Sequence, residues 1–248
     1  MTPTFWAIVP AAGVGKRMNA DRPKQYLPLA GQTVIEHTLT RLLNAQVFER
    51  IVVAISDEDP YWFELAFAHH EKILRASGGK ERADSVLSAL NAIEKQASAT
   101  DWVLVHDAAR PCLTVSDIHL LIDTLKTDSV GGILALPCAD TLKQVHNQRI
   151  SQTIDRSQIW RALTPQMFPY QLLREALRRN AGNGAITDEA SALELQGLTP
   201  KIVEGRADNL KITRPEDLAL AQFYLEKQRW ELDKVTMYIA LIAAIILF

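Results

Sequence analysis

Cysteine is scarce: Cys112 and Cys138 are the only two among 248 residues, too few for a disulfide framework or a cysteine-rich zinc site. Excess charge of one sign is missing too. The 27 Lys and Arg against 29 Asp and Glu leave a formal net charge of −2, so no global basic field marks a nucleic-acid binder. Aromatic residues contribute only 7%. No apolar run reaches the about 20 residues that a membrane-spanning helix needs. None of the zinc-ligand spacings occurs, and no Ser/His/Asp or Cys/His arrangement stands out. The first apolar run, Phe5 to Val9, has no charged segment before it and leads straight into a glycine loop. A secretory signal is therefore not expected, and the reading is a reducing, cytoplasmic setting.

What remains is ordinary globular composition, 48% hydrophobic and 23% charged, enough for one large α/β domain or one domain with an appendage. The stretch Val9-Pro10-Ala11-Ala12-Gly13-Val14-Gly15-Lys16-Arg17-Met18 carries the strongest local signal, followed by Pro23-Lys24-Gln25-Tyr26. Small residues let backbone approach a ligand, and consecutive N–H groups cradle an anion. Lys16, Arg17 and Lys24 add cations beside the cradle, which points to a polyphosphate. The spacing excludes a Walker A loop, because Arg17 stands where a hydroxyl residue is required. It excludes the dinucleotide fingerprint too, because Met18 replaces the third glycine.

Downstream, strand and helix patterns alternate. Helical spacing covers 33–47, a β-branched run covers 50–55, and a short helix is expected at 61–69. Strands follow near 72–76, 102–106 and 131–136; between them the stretch 78–85 opens a helix running to about 96, and another helix is expected at 116–126. This alternation predicts an α/β fold built on a doubly wound, mostly parallel sheet. Ligands in such sheets bind beyond the carboxyl ends of the strands. Residues 137–159 break the pattern as two alternating segments about a polar tip, a hairpin arm that folds onto its own domain or onto a second copy. Helices near 170–180 and after Thr187-Asp188-Glu189, strands at 201–204 and 209–213, and a helix from Pro215 to about Arg229 complete the reading. Val235 to Phe248 is nearly all apolar. It reads as a peripheral tail without catalytic duty, whether lying at a membrane interface, packing onto a partner subunit or remaining unstructured and aggregation-prone.

Four clusters carry candidate chemistry. The opening loop, Ala11, Ala12, Gly13 and Gly15 with Arg17 and Lys24, is the first. Gly79, Arg82, Asp84 and Ser85 form the second, placed to meet a base or sugar, with helix capping as the plain alternative. Asp107 and Arg110 lie at a strand end, where a carboxylate holds Mg²⁺ or simply pairs with its neighbour. A late polar set contains Arg206, Asp208 and Lys211, with Arg156, Thr164 and Thr187 earlier.

Taken in order, Pro10-Ala-Ala-Gly13-x-Gly15-x-Arg17-Met18, Pro23-Lys24-Gln25-Tyr26, Glu81-Arg82-Ala83-Asp84-Ser85-Val86, His106-Asp107-Ala-Ala-Arg110-Pro111, Thr164-Pro165-Gln166, Thr187-Asp188-Glu189-Ala190-Ser191 and Glu204 to Asn209 closely resemble the 2-C-methyl-D-erythritol 4-phosphate cytidylyltransferase family of the non-mevalonate isoprenoid pathway. The resemblance spans about residues 5–226. It implies a Rossmann-like nucleotidyltransferase fold that uses CTP, methylerythritol phosphate and Mg²⁺. It further implies a cytidylyltransferase domain over 1–229 with a dimerisation arm at about 137–159, followed by a tail over 230–248 that the family pattern lacks. Arg17 and Lys24 would be catalytic. Ala11, Ala12, Gly13, Gly15, Gly79, Arg82, Asp84, Ser85 and Asp107 would join Lys24 around the nucleotide. Asp107, Arg110, Thr141, Arg156, Thr164, Thr187 and Lys211 would surround the second substrate, Thr141 and Arg156 coming from the partner's arm in a homodimer. Asp107 and Asp208 would serve the metal. A cytidylyltransferase for another polyol phosphate, such as ribitol 5-phosphate, is the near alternative, and a non-catalytic nucleotide-binding protein the distant one. No nucleic-acid partner is expected.

Overall fold

The computed structural model describes residues 3–13, 15–18 and 20–246, leaving out the side chains of Lys16, Val235 and 238–246. In chain order it comprises β1 (Phe5–Pro10), β2 (Pro28–Leu29), β3 (Gln32–Thr33), α1 (Val34–Asn44), β4 (Phe48–Ile55), β5 (Ile73–Ser77), α2 (Arg82–Ala92), β6 (Trp102–Val105), α3 (Val115–Leu125), β7 (Gly132–Pro137), β8 (Leu142–His146), β9 (Arg149–Ile154), β10 (Trp160–Pro169), α4 (Tyr170–Arg179), α5 (Glu189–Glu194), β11 (Lys201–Glu204) and α6 (Glu216–Ile246). Seven strands form the main sheet in the order β11-β7-β10-β6-β1-β4-β5. Every neighbouring pair is parallel except the two that involve β10.

The run 5–9 becomes a central strand because both its faces are covered. Ala7 and Val9 join the core under α1 and α3, while Trp6 and Ile8 join the core under α2, α4 and α5. The helices start where their caps dictate. Thr33 donates its backbone N–H to Glu36 Oε2 at 2.8 Å before α1, and Asp188 Oδ1 accepts from Ser191 N at 2.9 Å before α5. A smaller core of Met18, Leu27, Leu29, Val34, Ala109, Cys112, Ile212, Ala221 and Leu225 packs α6 against the loops beside the first strand.

Four expectations need correction. The strand β10 was not anticipated, since Pro165 inside it argues against a central strand. The ladder accommodates that proline by shifting register between Ala162 and Gln166. The segment 61–69 forms two short 3₁₀ turns, Trp62–Glu64 and Ala66–His69, split by the extended backbone of Leu65. Residues 209–213 form no strand; they are a loop tied to the sheet end by Ile212 N donating to Ala109 O at 2.8 Å. The last helix does not stop near Arg229: no glycine or proline follows there to end it, and it continues to Ile246. Among the described residues no helix is long and apolar enough to cross a membrane. The arm is the separate two-stranded pair of β8 and β9, with Val145 and Ile150 exposed on it.

Candidate active site

A cleft opens beyond the carboxyl ends of β1 and β6, where a parallel sheet of this kind places its ligand. Its floor is the segment after β1. Ala11 N donates to Ala54 O at 2.9 Å, keeping that segment on the sheet. Gln25 Nε2 donates to Ala11 O at 2.7 Å from a buried position, so the returning chain is fastened to the floor. Ala12, Gly13 and Lys24 line the same space. Gly15 lies outside the lining and acts indirectly. At its φ of +66°, an added Cβ would sit 2.9 Å from Lys24 Cγ, so the glycine seats the lysine stem. The Lys24 ammonium donates to Ile212 O at 2.8 Å. Burial, then the nearby charge of Lys211, lowers its pKa to about 8. Burial makes charging it unfavourable, and an anion beside it relieves that.

The second wall is the turn before α2. Gly79 N donates to Ser85 Oγ at 3.0 Å and the hydroxyl donates on to Glu81 O at 3.2 Å. The side chain of Ser85 is thus part of the turn and is not a free nucleophile. A Cβ on Gly79 would stand 2.2 Å from Asp84 Cβ, which explains the glycine. Asp84 accepts from Glu81 N at 3.0 Å as a helix cap and lines an adjoining groove. Lys80 lines the cleft, a residue that no sequence signal singled out.

Asp107 is the electrostatic centre. Its Oδ1 accepts from Arg82 Nε at 2.9 Å. Its Oδ2 meets Lys211 Nζ at 2.7 Å and faces Arg110 Nε at 3.5 Å. Burial alone would raise its pKa, but the charges of Arg82, Lys211 and Arg110 hold it well below the usual carboxylate range. Arg110 is itself buried and donates through Nη1 to Asn209 O at 2.7 Å. Arg82 also grips Glu189, with Nη1 at 2.5 Å from Oε1 and Nη2 at 3.0 Å from Oε2. In the sequence Glu189 stands out only as part of the Thr187-Asp188-Glu189-Ala190-Ser191 motif, with no role attached to its side chain. Its bond to Arg82 spans 107 residues, beyond the reach of any local pattern.

Thr164 lies behind this centre. Its Oγ1 accepts from Asp107 N at 3.1 Å and lies 3.0 Å from His106 Nδ1. His106 Nε2 lies 3.0 Å from Arg110 O, a carbonyl that can only accept. The network therefore assigns the proton to Nε2 and makes Nδ1 the acceptor of the threonine hydroxyl. Thr164 thus holds the 106–110 loop from beneath, its hydroxyl proton committed to His106. Burial lowers the His106 pKa to about 4. Between pH 6.5 and 4 the unfolded chain binds a proton that the folded one refuses, so stability is complete above about pH 6.5 and falls on acidification. The loss on reaching pH 4 is on the order of 3 kcal/mol from this group. Thermal melts from pH 7.5 to 5 are expected to fall more steeply for the unaltered protein than for His106→Gln; equal slopes would refute the assignment.

The remaining candidates fall elsewhere. Arg17 is exposed outside the cleft lining, close enough for its charge to act on Lys24. The side chain of Lys16 lies outside the described residues. Thr187 lines the adjoining groove with Gly182 and Gly184. Thr141 and Arg156 are exposed on the arm and do not line this cleft.

Asp208 has partners of its own. Its Oδ1 accepts from Arg206 Nε at 3.0 Å, and its Oδ2 accepts from Arg206 Nη2 at 2.7 Å and Gln228 Nε2 at 3.1 Å. With Asp208 paired to Arg206 and Gln228, and Asp107 facing three cations, each carboxylate is already matched by side-chain donors and the two do not fit as a ready ligand pair for Mg²⁺. No group of three or more His, Cys, Asp or Glu placed to hold a metal occurs among the described residues.

The chain matches the model of the family described as 2-C-methyl-D-erythritol 4-phosphate cytidylyltransferase (IspD) over residues 5–227. The 2-C-methyl-D-erythritol 4-phosphate cytidylyltransferase of Vibrio vulnificus is 55% identical over 225 residues, covering 90% of this chain and 95% of that relative. The one from Aliivibrio fischeri is 57% identical over 227 residues, covering 91% and 95%. A crystal structure of the Francisella tularensis protein of the same name superposes with a TM-score of 0.79 at 38% identity, over 89% of this chain and 99% of that one.

Proposed function

The chain belongs to the 2-C-methyl-D-erythritol 4-phosphate cytidylyltransferase family, and on that premise we propose that the cleft beyond β1 and β6 transfers the cytidylyl group of CTP to 2-C-methyl-D-erythritol 4-phosphate. A phosphate oxygen of the acceptor attacks the α-phosphorus of CTP. The bond from that phosphorus to the bridging oxygen breaks, and pyrophosphate leaves with the electron pair. One observation carries the reading: Lys24 and Lys211 converge on a space walled by the small residues Ala11 to Gly13 and by Gly79. In-line transfer between phosphates needs positioning and positive charge more than a protein nucleophile.

In this reading Lys24, with Arg17 at the mouth, meets the charge that grows on the α-phosphate. Lys211 and Arg110 face the acceptor phosphate. Ala11, Ala12, Gly13 and Gly79 admit the nucleotide, and Asp107 keeps the surrounding cations apart and oriented. Mg²⁺ belongs to the proposal as a companion of the CTP phosphates rather than as an ion held between Asp107 and Asp208, and no step here depends on it. A homodimer belongs to it as well. The exposed Val145 and Ile150 of the arm support a second copy as the partner, with Thr141 and Arg156 delivered across the contact. The reading places the protein in the cytoplasm.

The test is pyrophosphate release with CTP against a panel of polyol phosphates. Turnover is expected with methylerythritol phosphate at a kcat/KM well above that for ribitol 5-phosphate, and no release with any acceptor would end the proposal. The pH profile adds a second check. With a Lys24 pKa of about 8, kcat/KM for CTP is expected to fall as pH rises past 8, because the free enzyme loses the ammonium. Lys24→Arg, charged throughout, is expected to remove that limb; its persistence would assign it to another group.

A further inference from the structure

The bond pattern around Arg82 points to a residue that acts on the acceptor half of the site without touching it. We propose that Glu189 is a positioning residue: by taking both terminal nitrogens of Arg82, it leaves Oδ2 of Asp107 to Lys211. This deepens the reading above and rests on its assignment of Lys211 to the acceptor phosphate.

A guanidinium prefers to clasp a carboxylate with two parallel hydrogen bonds. Arg82 has two carboxylates within reach and gives that clasp to Glu189, at 2.5 and 3.0 Å. Only its Nε remains for Asp107 Oδ1, at 2.9 Å. Oδ2 is therefore open to Lys211 Nζ at 2.7 Å, with Arg110 Nε farther off at 3.5 Å. Without the Glu189 charge, Arg82 would turn its fork onto Asp107 and compete with Lys211 for Oδ2. The ammonium would then lose the contact that aims it.

Glu189 is well fixed for this duty. It is only 1% exposed and opens α5, whose start is fastened to β10 by Gln166. Gln166 Nε2 donates to Asp188 Oδ2 at 2.8 Å, and its Oε1 accepts from Ala190 N at 3.0 Å. With the residues on both sides of it fastened to Gln166, the Glu189 backbone is fixed, so its buried carboxylate sets the position of Arg82 rather than following it.

Two variants test the idea, each with two readouts: the CTP dissociation constant by calorimetry without acceptor, and kcat/KM for methylerythritol phosphate. Glu189→Gln removes the charge at constant shape. Its acceptor kcat/KM is expected to fall about 10- to 100-fold, as for other supports of a reacting group, while the CTP dissociation constant stays within about threefold. Glu189→Asp keeps the buried charge paired but withdraws it by one methylene. It carries the test should the first variant fail to fold, with an expected acceptor loss of about three- to tenfold and CTP binding again retained. Unchanged acceptor kinetics in a folded variant would overturn the proposal. So would equal losses in CTP and acceptor binding, the signature of a merely structural role. The unaltered protein run alongside separates the two readings: if it fails to turn over methylerythritol phosphate, the proposed function falls, and not the role of Glu189 alone.

Discussion

Lys24→Ala is expected to lower kcat by about 10²- to 10³-fold, the scale seen when one preorganised donor to a developing charge is lost. The CTP dissociation constant is expected to change far less. The triphosphate keeps the Ala11 to Gly13 backbone and Lys80 in the same cleft, whereas charge on the attacked phosphorus grows only in the transition state. The ammonium is already aimed, since Ile212 O accepts from it at 2.8 Å and Gly15 leaves room for its stem. Arg17→Ala is expected to act in the same sense. Single-turnover rates and CTP titrations on both variants decide the matter; near-normal turnover in both would remove the role assigned to these two cations.

Asp107→Asn is expected to have the largest effect on stability. The carboxylate is 6% exposed and Arg110 8%, so neutralising it leaves Arg110 and Arg82 in a poorly solvated place with one anion fewer. Removing one partner of a buried pair costs about 3–5 kcal/mol, which for a domain of this size lowers Tm by roughly 10 °C. Acceptor turnover should fall with it, since Lys211 loses the oxygen that directs it. Calorimetric melts and pyrophosphate release measure both effects; a Tm within about 2 °C of the unaltered protein, less than the shift for 1 kcal/mol, would show that the cluster does not depend on Asp107.

The parallel strands were legible because each is a continuous apolar run bounded by polar residues. Ile51 to Ile55 and Trp102 to Val105 read directly as buried β. The helices α1 and α3 were legible from their spacing. The strand β10 was not, because its central Pro165 violates the local rule for a strand between two neighbours. Its pairing with β6 and β7 comes from tertiary context that no local window contains. The same holds for 209–213, whose alternating apolar residues pack Ile212 into the core under α6 without joining any sheet.

The site divides in the same way. Small residues and cations in the loop after β1, the Gly79 turn and the acid at the end of β6 are consecutive motifs, and their chemistry is local; the chain by itself determined them. Tertiary structure alone decided what each does. It turned Gly15 into the seat of Lys24, Thr164 into a prop for the 106–110 loop, and Ser85 into part of a turn. It paired Asp208 with Arg206 and Gln228. It brought Glu189, Arg82, Asp107 and Lys211 into one bonded series. The physical reason is range: backbone preferences and apolar periodicity act over a few residues, whereas the pairing of buried charges depends on which strand ends and helix starts the topology places together.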